Sequence, residues 1–379
     1  MNCSLICYWS NCFQRLAIKI FAAVSVLGVM RLLFVFSCLV CVQIDANAQP
    51  ATSNKATAES GNGKRDEAAV SSSVAGQLVL VVGAAGTEEF GAAFEAWGER
   101  WREVAEQSDF EFVPIGFEGK SDEGSDRELL RSTLTAGTKN QSTPLWVVLI
   151  GHGTYARDVA KFNLRGPDVS GAELAKWMEG TKRPIVIINC ASASGPFVNR
   201  LSGPQRVVVT ATRSGIEQNY ARFGAFLSEA IGSQESDLDH DGEVSIHEAF
   251  LRASAGVRRF YESEDRIVTE HAILDDNGDG KGTPATMFRG VRPNAKAKNG
   301  VALDGAAALR ITVTPSGGRL PFTAVELKQR KEIEDQIDAL RGRAGELDQK
   351  ELDAVLLPLM LRLSRLYQEV QTRVPTREN

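Results

Sequence analysis

The chain has 379 residues, 43% of them hydrophobic and 24% charged, with a formal net charge of −5. This is ordinary globular composition, long enough for a full-sized core plus one or two smaller pieces, and it argues against general disorder. The negative balance, with no basic stripe or clustered Lys/Arg face to neutralise phosphates, argues against a nucleic-acid partner.

Residues 16–42, LAIKIFAAVSVLGVMRLLFVFSCLVCV, are apolar apart from Lys19 and Arg31, and ANA at 46–48 is a small-x-small cleavage pattern. A signal peptide over 1–48 is expected, with Met30 as a second candidate start that opens a shorter leader. Arg31 splits the apolar stretch into pieces short for a spanning helix, so export to the periplasm or exterior is favoured over a membrane anchor. Cys38 and Cys41 lack the small residues that usually precede a lipidated cysteine. Cleavage after Ala48 removes five of the six cysteines and leaves Cys190 alone. A lone thiol cannot form an internal disulfide, and it is either reactive or an inert core residue.

Residues 49–76 are rich in Ala, Ser, Gly, Lys and Glu without apolar periodicity, which reads as a flexible linker. From Gln77 the pattern changes. Apolar runs at 78–86 (LVLVVGAAG), 110–116 (FEFVPIG), 145–153 (LWVVLIGHG), 184–192 (PIVIINCAS) and 206–212 (RVVVTAT) alternate with helical patterns. These helices are expected around 90–106, 126–134, 172–180 and 222–231. Repeated strand–helix units predict an α/β domain over 77–232, a doubly wound, mostly parallel sheet with helices on both faces. Functional residues in such a sheet sit just beyond the carboxyl ends of its strands, where both GHG and NCASASG fall.

Of the four histidines, His240 and His247 lie in an acidic loop and His271 precedes an acidic cluster, which leaves His152 as the one at a glycine-flanked strand end. A thiol attacks a carbonyl as thiolate, so it needs a base or cation beside it and a proton donor for the leaving amine. His152 supplies both if it neighbours Cys190, 38 residues on and one helix away. The amides of Gly153 and Cys190 are then candidate oxyanion donors.

WVVLIGHG and IVIINCASASG, in this order and spacing, resemble the legumain-like and caspase-like cysteine peptidases, and VVVTATRSGIEQNY at 207–220 is similar to the legumain segment that follows the nucleophile strand. The resemblance covers residues 78–232. It implies a caspase-like sheet, a peptide or protein substrate, His152 as catalytic histidine, Cys190 as nucleophile and Gly153 as an oxyanion donor. Ala85 stands where legumains place an Asn that orients the histidine, and Gly91 is near the place of a basic pocket residue, so asparagine specificity is not implied. Asn189 replaces the Ala that usually precedes the nucleophile.

Residues 237–248, DLDHDGEVSIHE, place Asp237, Asp239, Asp241, Glu243, Ser245 and Glu248 at positions 1, 3, 5, 7, 9 and 12 of an EF-hand-like loop, with Gly242 at the bend. Hard oxygens at these spacings, between two helical patterns, predict a calcium ion with a structural role in a region spanning 233–290. A second stretch, LDDNGDGKGT at 274–283, copies only the first half of such a loop: Asp275, Asn277, Asp279 and Gly280 fit, but Thr286 holds the twelfth position, so it is either a weaker metal loop or a Gly/Asp turn, the turn being the simpler reading. Residues 291–324 are irregular with a possible strand at 309–315. Apolar positions at helical spacing predict an antiparallel helical hairpin over 325–370, followed by a short tail. Two functions stay open: an exported cysteine endopeptidase with structural calcium, and a catalytically inactive, calcium-stabilised interaction protein in which Cys190 is a packed strand residue.

Overall fold

The computed structural model describes residues 75–117, 124–136, 143–239, 241–294, 303–313, 320, 322–342 and 348–373. The expected signal peptide and nearly all of the expected linker lie outside these residues, as do His240 and most of the tail.

Five apolar runs form parallel strands: β1 (Gly76–Val82), β2 (Phe110–Ile115), β3 (Leu145–Ile150), then β7 (Ile185–Asn189) and β8 (Arg206–Thr210). Three short strands that the sequence pattern did not reveal, β4 (Gly153–Ala156), β5 (Val159–Phe162) and β6 (Val169–Ser170), form a separate antiparallel sheet directly after His152. Beyond β9 (Val244–Ser245), the hairpin of β10 (Ile273–Asp275) and β11 (Thr283–Pro284) extends the main sheet, with β10 antiparallel to β8. The main sheet thus has seven strands in the order β11-β10-β8-β7-β3-β1-β2. Chain direction across the sheet reverses between β1 and β3. Their carboxyl ends therefore flank the crevice where open α/β sheets place ligands.

Continuous Val, Ile and Leu in β1, β3 and β7 follow from burial on both faces. On one face lie α1 (Glu88–Gln107), α5 (Phe223–Ile231) and α6 (Ile246–Ser263). They pack Phe94, Trp97, Trp101, Leu227 and Phe250 against Val148, Ile150, Val186 and Ile188. On the other lie α2 (Asp126–Ala136), α3 (Gly171–Trp177) and α4 (Val198–Leu201), which pack Leu130, Leu134, Leu174 and Leu201 against Val147, Leu149 and Ile187. Helix starts follow their caps. Thr87 Oγ1 accepts the Phe90 amide at α1, and Ser170 and Ser245 form capping boxes with Glu173 and Glu248 at α3 and α6.

One ion pair fastens the second layer. Arg165, before β6, donates from Nε and Nη2 to both oxygens of Asp126 at 2.8 and 3.0 Å, at the first turn of α2. Asp126 is buried while Arg165 keeps partial solvent contact. Removing the cation strands a buried carboxylate, so Arg165→Ala is expected to cost about 2 kcal/mol in a urea unfolding curve.

At the other end, β12 (Phe288–Arg289) pairs with β13 (Arg292–Pro293), and β14 (Thr312–Val313) pairs antiparallel with β9. Helices α7 (Ala324–Gly342) and α8 (Gln349–Gln371) then form the expected hairpin. Ile333 and Ile337 pack on Leu359, and Arg373 at the end of α8 pairs with Glu326 at the start of α7, which fixes the antiparallel arrangement. Pro358 lies inside α8. Among the described residues no helix is long and apolar enough to cross a membrane.

Candidate active-site edge and acidic loop

His152 lies two residues past β3, at the crevice. Its Nε2 is 3.0 Å from the Ala85 carbonyl in the turn after β1, so this nitrogen carries the proton and donates. The ring packs edge-on against Phe90 and Phe94 of α1, with centroids 4.9 and 5.2 Å away, and Tyr220 stacks on Phe90. A main-chain oxygen of Ala85 therefore holds the histidine where the sequence comparison looked for an Asn side chain. That contact is invisible in sequence, because any residue at 85 offers the same carbonyl.

Cys190 follows β7 immediately. Its amide donates to the Leu149 carbonyl at 2.9 Å and so continues the β3–β7 ladder. The expected pairing of the Gly153 and Cys190 amides as an oxyanion hole is thus corrected: one is consumed by the sheet. The other faces Ser192, with Gly153 N 3.4 Å from Ser192 Oγ and the hydroxyl donating back to Gly153 O at 3.2 Å. The approach is close enough that a Cβ on Gly153 would lie 2.1 Å from the Ser192 carbonyl oxygen.

Side chains alternate between faces along a strand, and Cys190 shares the face of Val186 and Ile188. That face is the core beneath α1 and α5. Cys190 is 1% exposed, and the surroundings are full: a Cβ on Gly224 of α5 would come within 2.9 Å of Cys190 Cβ and 2.8 Å of the Trp97 ring. Burial, with a smaller contribution from the Glu270 carboxylate, pushes the thiol up to about 12. Its one hydrogen bond among the described residues is that of its amide; His152 bonds Ala85 instead. The two side chains expected to form a dyad thus sit on the same side of the sheet, with no hydrogen bond between them among the described residues.

Small residues after Cys190 close the edge. Asn189 Oδ1 accepts the Ala191 amide at 3.0 Å, and Ala193, held at φ 54°, donates its amide to Glu217 O at 2.8 Å. Ser194 and Thr212 exchange a hydroxyl contact at 3.2 Å, and Thr212 Oγ1 also accepts the Gly195 amide. Glu270, missed by the sequence reading, is buried and accepts the Arg222 and Phe223 amides at the start of α5. Glu217 likewise receives His271 Nδ1 at 2.7 Å.

The acidic loop runs from a turn after α5 to the start of α6. Asp237, Asp239 and Glu248 each bring a carboxylate oxygen within 4.8 Å of the others, a spacing that suits one cation. Asp237 accepts the Asp241 and Gly242 amides at 3.1 and 2.9 Å, and Gly242 takes φ 88°, which a side chain would strain. Glu248, 1% exposed, accepts Leu238 N and Asp239 N on one oxygen and Ser245 N and Oγ on the other. Ser245 acts as the helix cap. The other two candidates face elsewhere: Asp241 and Glu243 receive Arg330 of α7 at 3.2 and 3.1 Å, and Glu243 also receives Thr312 Oγ1. Arg330 also pairs with Glu334 at 2.9 Å and lies over the Tyr367 and Phe322 rings. The sequence marked the loop but not this partner, 89 residues away.

No protein-family model matches the chain, and no curated protein matches it. Solved structures similar to it include the initiator caspase Dronc of Drosophila, 15% identical, over 63% of this chain and 95% of that one, with a TM-score of 0.39. Caspase-1 from Spodoptera frugiperda is 11% identical over 53% of this chain and 86% of its own, with a TM-score of 0.35. Raptor from Chaetomium thermophilum is 10% identical over 41% of this chain and 17% of its own, with a TM-score of 0.30.

Proposed function

We propose that the chain is an exported, calcium-stabilised protein of the caspase and legumain type that binds peptide or protein segments without cutting them. The observation that carries this reading is the seat of Cys190: a core-facing thiol, walled by Trp97 and Gly224 and held well above the ordinary thiol range. A nucleophile needs thiolate and a path to the carbonyl, and burial of this side chain with its raised thiol weighs against both. The rival reading, a Cys–His endopeptidase, draws on His152, which stands at the strand end with its ring held by the Ala85 carbonyl. It requires Cys190 to leave the core when substrate arrives.

A peptide library containing Arg, Lys, Asn and Asp bonds separates the two. Wild-type chain, Cys190→Ala and His152→Ala are expected to leave it equally intact. Cleavage by the wild type that Cys190→Ala abolishes would overturn the non-catalytic reading and restore the endopeptidase.

Calcium would be held by Asp237, Asp239 and Glu248 and would supply positive charge to a crowded carboxylate cluster; Asp241, which faces Arg330, would join the set only by leaving that partner. Arg330 already neutralises part of that charge. It therefore competes with the ion while fastening the helical hairpin to the loop. Arg330→Ala is expected to tighten calcium binding about tenfold, the scale of one close charge near a protein surface, and to lower the melting temperature measured in chelator.

A further inference from the structure

The β10–β11 hairpin encloses the half-loop for which the sequence leaves a weaker metal loop and a Gly/Asp turn open. Asx turns shape it: Asn277 Oδ1 accepts the Asp279 amide and Asp279 Oδ1 accepts the Lys281 amide, both at 2.8 Å. The same bond, from Glu243 N to Asp241 Oδ1 at 2.8 Å, organises the corresponding positions of the 237–248 loop. These bonds alone describe a turn.

The decisive group is Asp275, the last residue of β10. It is 0% exposed, and both of its carboxylate oxygens are buried without a hydrogen-bond partner. Burial raises its carboxyl above the usual range; the Ser202 hydroxyl and the Asp279 and Gly280 amides beside it offset this in part, though none is within hydrogen-bond geometry of either oxygen. Ser202 Oγ accepts the Gly280 amide at 3.0 Å. Neighbouring acids add to the negative field. Asp276 spends its oxygens on the Gly305 and Ala308 amides, and Asp304 accepts the Asp276 and Asn277 amides and the Thr283 hydroxyl. A buried carboxylate without partners is costly, and proteins keep one where a cation or a proton offsets it.

We propose that the 275–283 hairpin is a second calcium site, with the side-chain oxygens of Asp275, Asn277 and Asp279 and the Lys281 carbonyl as protein ligands. Its exit is a strand rather than a helix, because Leu274 pairs with Thr283 and Ile273 with Pro284. The twelfth position is Thr286 in place of a glutamate, so water would complete the shell. An incomplete ligand set places the affinity in the range of extracellular modules, about 10⁻⁴–10⁻³ M. The site is independent of the 237–248 loop, which shares none of its ligands.

The test is a series of melting curves of the full chain over 0.1–10 mM calcium chloride (roughly the range bracketing that affinity), in a background of Asp237→Ala and Asp239→Ala that disables the first loop. The background protein is expected to gain about 3 °C across the titration. Adding Asp279→Ala, an exposed position that leaves the core intact, is expected to remove that gain. Adding Asp275→Asn is expected to remove it too, while raising the melting temperature in chelator, because a buried charge is lost. A background protein that gains nothing, or a gain that survives in both further variants, overturns the proposal. Failure of the first loop shows separately, as a calcium response of the unmodified chain that Asp237→Ala leaves unchanged.

Discussion

Folded chain treated with iodoacetamide at pH 8 is expected to keep Cys190 unmodified about a thousandfold longer than the same chain unfolded in urea. Burial first, and the Glu270 charge second, raise the thiol from 9.0 to about 12, which cuts the thiolate fraction at pH 8 by about three orders of magnitude. Exclusion of the reagent by Trp97 and the Gly224 backbone adds to this. The folded-state value lies above the unfolded one, so the associated stability is complete below about pH 9. It is lost as pH climbs from there towards 12, because only the unfolded chain then releases the proton. Labelling of the folded protein is expected to accelerate about tenfold per pH unit over the same window. Rapid labelling at pH 6, where only a histidine-paired thiol ionises, would show that the sulfur faces His152, and the peptidase reading would return.

Chelation has the second-largest expected effect. For the calcium site proposed at the 237–248 loop, an affinity of about 10⁻⁵ M would make about 1 mM calcium worth about 2.7 kcal/mol of stability, and excess EGTA is expected to lower the melting temperature accordingly. Asp237→Ala is expected to remove most of that response. The pH dependence reverses between the two conditions. In chelator, burial and the adjacent Asp239 charge push the Asp241 carboxyl up to about 7, above its unfolded value of 3.8. That contribution is complete below about pH 4 and is lost as pH rises through 7, so the calcium-free loop is more stable at pH 5 than at pH 7.5. Calcium displaces those protons, and its stabilising effect grows over the same interval. Melting curves at the two pH values with and without calcium check both signs.

How far the sequence carried these conclusions differs by element. The runs LVLVV, LWVVLI, IVIIN and RVVVT are apolar on both faces because the sheet is covered on both, and that made the α/β architecture legible. The same property hid the orientation of Cys190: when both faces are buried, alternation says which neighbours it shares and not whether that side is core or crevice. Only the arrival of Trp97 and Gly224 from distant helices settles it. The β4–β5–β6 sheet escaped because TYARDVAKF alternates over a short polar stretch, with Arg157 and Asp158 turning at φ 50° and 61° in place of a Gly or Asn signal. The acidic-loop spacing was legible for Asp237, Asp239 and Glu248, whose carboxylates come together, but not for Asp241 and Glu243, which turn to Arg330. Its contact with Arg330 was not, because an arginine on a charged helix looks like any solvated side chain until the hairpin folds back.

The packing of Gly224 against Cys190 also bears on maturation. For the exported chain proposed above, cleaved after Ala48 so that Cys190 is its single thiol, an oxidising compartment is a hazard, since the thiol can capture glutathione or a second chain. Here the sulfur is shut away as soon as α5 settles on the sheet, so the folded chain needs neither an oxidoreductase nor a pairing partner. Non-reducing electrophoresis of protein recovered in its native state should accordingly give one monomer band.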